Sequence, residues 1–79
     1  MNFSAITVQP LKNYLLQLTF KTDEQKIFDM KPYLDLGIFK DLKNETMFNT
    51  ASISFNTVEW ANKADIDPEI LYQKSYKIK

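Results

Sequence analysis

Residues 14–30 read YLLQLTFKTDEQKIFDM, and the period of this stretch decides the fold. In its first half Tyr14, Leu16, Leu18 and Phe20 fall on one side of a two-residue repeat and Leu15, Gln17 and Thr19 on the other, the alternation of a strand half-buried against a core. The polar run KTDEQ supplies a turn, after which KIFDM resumes the alternation with Lys26, Phe28 and Met30 facing one way. Upstream, SAITVQP places Ile6 and Val8 on one face and predicts a third strand, ended by Pro10 because proline has no backbone donor. The predicted first half is a three-strand meander.

Downstream the period changes. In KPYLDLGIFKDL, Tyr33, Leu34, Leu36, Ile38, Phe39 and Leu42 recur at spacings of three and four, which predicts a short helix or two helical turns around Gly37. KNETMFNT is expected to be a polar loop that plugs Met47 and Phe48 into the core. ASISFNTVEW is expected to be a tight hairpin, with Ile53 and Phe55 packed on one arm, Val58 and Trp60 on the other, and Asn56-Thr57 at the turn. In DIDPEILYQKSYKIK, Asp67 fits an N-cap and Pro68 a first helical residue, while Glu69 suits the positive end of the helix dipole. Ile70 and Leu71 are expected to face the core, and Lys74 and Lys77 to lie near the helix C-terminus. The fold class is therefore α+β: a small antiparallel sheet of about five strands, one or two short helices and a C-terminal helix, in a single domain spanning residues 1–79.

Composition narrows the chemistry. A 79-residue domain buries only about 60% of the surface its unfolded chain exposes. An apolar fraction of 44%, with six Phe, four Tyr and one Trp, is nevertheless enough for a packed core. Ten lysines balance ten carboxylates, so no net field draws the chain to nucleic acid or membrane. Arginine, the residue that forks onto phosphate or guanine, is absent. Cysteine and histidine are absent too, which removes thiol nucleophiles, disulfides, ordinary zinc ligands and the commonest general base. No basic segment precedes the first apolar stretch, and no apolar run reaches the roughly 18 to 20 residues of a membrane span. A soluble cytoplasmic protein without a cofactor, and not an enzyme, is expected.

The run EWANKADIDPEILYQKS, residues 59–75, gathers Trp60, Glu59, Asp65, Asp67 and Glu69 and is the densest in candidate chemistry. Carboxylates at Asp65, Asp67 and Glu69 are candidates for Mg²⁺ or Ca²⁺, although the run lacks the turn glycine and further oxygen donors of an EF-hand loop. The plainer reading makes Asp67 a cap, Glu69 a dipole partner and Asp65 a turn residue. Phe3, Tyr14, Tyr33, Tyr72 and Tyr76, with the lysines, are candidates for a platform that stacks single-stranded nucleic acid, but their spacings are those of core positions. An exposed sheet edge, or the C-terminal helix with its YKIK tail, is a candidate surface for another protein.

Across Val8 to Tyr72 the chain resembles the bacterial domain-of-unknown-function family 2442. The resemblance rests on YLLQLTF and its return strand ending in FDM, on PYLDLGIFKDL and MFNTASISF, and above all on VEWANKADIDPEILY. Trp60, Asp65, Asp67, Pro68, Leu71 and Tyr72 occupy the family's signature positions, for which the resemblance implies no chemistry. Where the family commonly carries Asp-Gly in its first hairpin and Trp-Pro-Asn-Gly before the acidic run, this chain has KTDEQ and WANK, so both turns must form without glycine and Asn62 or Lys63 must take any left-handed position. The family implies a small α+β fold and an accessory role, found alone, beside a helix-turn-helix domain or paired with a small toxin-like protein. The expectation is a non-enzymatic protein-interaction module, antitoxin-like or accessory, whose partner is another small protein or a second copy. Without a helix-turn-helix, direct DNA binding loses its usual carrier.

Overall fold

The computed structural model describes residues 4–78. Strands β1 (Ala5–Leu11), β2 (Leu15–Phe20) and β3 (Gln25–Asp29) form the antiparallel meander, and β2 buries Leu16, Leu18 and Phe20 along its inward face. From β3 and the residue that follows it, the same face receives Lys26, Phe28 and Met30. The hairpin between β2 and β3 closes without glycine because Asp23 takes φ 68°, a conformation that its short polar side chain tolerates.

Two details of β1 depart from simple alternation. A register shift between Ala5 and Thr7 leaves Ile6 as the extra residue of a bulge, so Ala5 points into the core and Ile6 is exposed instead of sharing the face of Val8. Pro10 does not end the strand either: it pairs with Leu16, and β1 continues to Leu11. Proline is tolerated there because β1 is an edge strand.

Helical turns span Lys31–Tyr33 and Gly37–Lys43, the second opening on the sole glycine, which adopts φ +48°. They place Leu34 and Leu42 in the core, stack Tyr33 on Phe28 and set Phe39 edge-on to Trp60. The expected polar loop at residues 43–50 contains a one-turn helix, α1 (Glu45–Phe48), because Asn44 caps it by accepting from the Met47 amide at 3.2 Å. Phe48 is buried and Met47 packs against the core, as the loop reading also required.

The second hairpin, β4 (Ser52–Ser54) and β5 (Thr57–Glu59), forms its own two-stranded sheet beside β1. Ser54 pairs with Thr57, which puts Phe55-Asn56 at the turn rather than Asn56-Thr57. Thr57 is drawn into the strand because its hydroxyl, buried, donates to the Ile66 carbonyl at 2.6 Å. Phe55 consequently leaves the core it was expected to join.

Helix α2 (Pro68–Lys74) is followed by a further strand, β6 (Tyr76–Lys77), which adds to the free edge of β3. The observed sheet is therefore four-stranded, ordered β1-β2-β3-β6, with the hairpin separate. Lys77 belongs to that strand rather than to the helix end, where Lys74 alone remains.

Candidate functional site

The segment 60–72 is built around one buried ring. Trp60 is 2% exposed, donates its indole N–H to the Phe48 carbonyl at 3.0 Å, and packs against Phe39 and Phe48. From there the chain turns tightly: the Trp60 amide donates to the Ala64 carbonyl and the Lys63 amide to the Trp60 carbonyl, each at 2.9 Å. Lys63 takes the left-handed position at φ 73°, and the Asn62 side chain accepts from the Ala64 amide at 3.1 Å. The returning chain bonds to β5 through the Ile66 amide and the Val58 carbonyl, with Glu59 and Asp65 as a bridged pair. The family resemblance left the left-handed position open between Asn62 and Lys63, and the fold gives it to Lys63.

Asp67 caps α2, its Oδ1 accepting from the amides of Glu69 at 2.8 Å and Ile70 at 3.3 Å, and Pro68 opens the helix. The Glu69 carboxylate accepts from Gln73 one turn on, at 3.2 Å. Among the described residues no three acidic side chains converge on a cation position, so Asp65, Asp67 and Glu69 do not assemble the metal site that their spacing raised. Leu71 is fully buried, whereas Ile70 is 43% exposed and does not join it in the core. A helix this short turns one residue inward and its neighbour, about 100° round, toward the surface.

Tyr72 packs edge-on to Phe20 and donates its hydroxyl to Glu24 at 2.5 Å. Over its ring, 3.7 Å from the centroid, lies the ammonium of Lys26, which also donates to the Tyr72 carbonyl at 3.0 Å. Lys26 is only 8% exposed. The Tyr72 hydrogen bond, then those from Thr22 and Lys77, hold the Glu24 carboxyl at about 2, while the same Glu24 contact raises the Tyr72 phenol. Lys77 of β6 completes the group at 3.3 Å from Glu24. Glu24 and Lys26 were not singled out as site residues, yet the inward register of Lys26 between Leu18 and Phe28 was a visible signal of a lysine needing partners.

The nucleic-acid platform loses its rings. Tyr14, Tyr33 and Tyr72 pack against the core, which leaves Tyr76 exposed, and Phe3 lies outside the described residues.

A concavity adjoins the segment 60–72. A cleft of about 170 Å³ opens between β3, the helical turns and the start of α2, lined by Phe28, Met30, Tyr33, Phe39, Ile66 and Ile70, with Asp65 and Asp67 beside them. Phe28, Met30 and Ile66 are buried, while Ile70 and both carboxylates reach solvent. Two other hollows, one by the β1–β2 connection and α1 and a broader one over residues 40–50, carry more polar linings of Lys, Asn, Asp, Thr and Glu.

With this geometry in view, the comparison with known families is decisive for kinship. The profile described as "Protein of unknown function (DUF2442)" matches residues 5–77. The chain belongs to the DUF2442 family. Searches of curated proteins and of solved structures each returned no match. The residues singled out in this segment divide by role: Trp60, Pro68 and Leu71 shape the junction, Asp67 caps, Tyr72 ties α2 to the sheet, and Asp65 stands at the cleft. Among the described residues no helix is long and apolar enough to cross a membrane.

Proposed function

We propose that this chain is a non-enzymatic protein-binding module, an accessory or antitoxin-like partner of another small cytoplasmic protein, and that the cleft beside the signature segment is its docking point. The observation that carries the reading is the cleft itself: an apolar floor of Phe28, Met30 and Ile66, an exposed Ile70, and carboxylates at Asp65 and Asp67. Such a site takes one apolar side chain and favours a lysine or arginine next to it, through complementary charge. Two acidic residues of the segment support this over catalysis, because the Asp67 carboxylate already caps helix α2 and that of Glu69 accepts from Gln73.

The test is a titration of isotopically labelled protein with the product of the neighbouring gene. Amide shifts centred on Ile66 and Ile70, and loss of binding on Ile70→Glu, are the expected outcomes. Binding that Ile70→Glu leaves unchanged would remove the cleft from the interface.

A further inference from the structure

The hairpin tip opposes the preferences of its own residues. Ser54 and Thr57 pair directly, so Phe55 and Asn56 form a two-residue loop, and both carry positive φ, 49° and 71°. That is the geometry of a type I′ turn, whose first central position favours Asn, Asp or Gly. Phenylalanine there bears left-handed strain. It gains no packing in return, since Phe55 is 95% exposed, far beyond the other large apolar side chains that reach solvent.

The tip is also held rather than loose. The Ala5 amide donates to the Asn56 carbonyl at 3.0 Å and the Lys21 amide to the Ser4 carbonyl at 2.8 Å, fastening the turn through β1 to the end of β2. These backbone bonds bring the segments carrying Phe55, the bulged and exposed Ile6 and the exposed Lys21 together at one end of the sheet.

The same chain carries the complement. The cleft is of the size that holds a single benzene ring, for which about 150 Å³ suffices, against about 170 Å³ here. Its floor is apolar, and Asp65 and Asp67 beside it offset a lysine. We infer that a second copy of this chain is an occupant of the cleft, Phe55 of one copy seated against Tyr33, Phe39 and Ile70 of the other with Lys21 toward Asp65. This rests on the reading of the cleft as a docking point and specifies its partner. Size and charge match on two separate surfaces of one chain, and folding alone gains nothing from the strain at Phe55.

The experiment is sedimentation equilibrium of the full chain from micromolar to millimolar concentration, for the wild type, Phe55→Asn and Ile70→Glu. Asparagine suits the turn, so Phe55→Asn keeps the fold, which circular dichroism checks. Reversible association of the wild type is expected, weakened at least about tenfold by either substitution. Mixing the two variants is expected to restore a one-to-one pair, because one retains the cleft and the other the ring. A wild type that stays monomeric throughout, or association that Phe55→Asn leaves unchanged, would overturn the inference. If the wild type is monomeric yet binds a different protein in a manner lost on Ile70→Glu, the second-copy inference falls and the docking reading stands; if neither occurs, both fall.

Discussion

Asp67 and Phe55 show how differently single residues meet their backbone. The Asp67 carboxylate accepts from two otherwise orphaned amides at the start of α2. Asp67→Ala is expected to lower the unfolding free energy by about 1 kcal/mol in urea titration, and Asp67→Asn by distinctly less. Phe55 stands at the opposite extreme, strained and without contacts, so Phe55→Asn is expected to raise stability by about 0.5–1 kcal/mol in the monomer. A loss of stability instead would mean that the ring packs where its exposure says it does not. The cap was legible in the letters DIDPE, since an acidic residue before Pro-Glu is a local device. The exposure of Phe55 was not, because alternation along SISF assigns the residue to the face of Ile53, and only the pairing of Ser54 with Thr57 moves it onto the turn.

At the scale of elements, the return loop and the last strand are the informative cases. Glu59 and Asp65 sit opposite each other across a bridge, and like charges in that arrangement repel. Glu59→Lys is expected to raise the melting midpoint, with a gain of about 0.2–1 kcal/mol that shrinks as salt is added. Strand β6 covers the edge of β3 with only two residues, and the Ile78 amide extends that contact to the Gln25 carbonyl at 3.0 Å. A chain ending at Ser75 is expected to melt lower and to exchange the amides of β3 faster than those of β2, as measured by hydrogen exchange. Equal protection of both strands would show that β6 adds nothing. The meander was readable because its strands are consecutive and their period of two is unbroken through residues 15–20 and 25–29. Strand β6 was hidden because YKIK follows a helix directly and its partner lies almost fifty residues earlier, a pairing with no local signature.

For the whole molecule, the group around Tyr72 joins the β2–β3 hairpin, helix α2 and strand β6 in one network of Glu24, Lys26, Tyr72 and Lys77. Its electrostatics have a definite sign. The Glu24 carboxyl, held at about 2 in the fold against 4.5 in an unperturbed chain, contributes stability that is complete above pH 4.5 and disappears as pH falls toward 2. Tyr72, whose phenol is raised from 10, contributes stability that is complete below pH 10 and is lost as pH climbs through its raised value. Tyr72→Phe removes the largest cause of the Glu24 shift, so its stability profile is expected to be flatter than that of the wild type between pH 4.5 and 2; identical slopes would refute the network. By itself the sequence determined the α+β class, the inward stripe of Leu16, Leu18, Phe20, Phe28 and Met30, and the cap at Asp67, because each follows from periodicity or from one residue's backbone preference; the choice of Lys63 over Asn62 for the left-handed position did not. It also indicated membership of the DUF2442 family, though not what its members do. Only the tertiary structure decided that Asp65, Asp67 and Glu69 stay apart as ligands, that Lys26 is covered by the Tyr72 ring, and that Ile70 and the buried floor of β3 share a cleft. Those outcomes depend on where the segment after Trp60 is laid across β3 and β5, and that placement is fixed by contacts between residues up to 48 positions apart rather than by neighbours along the chain.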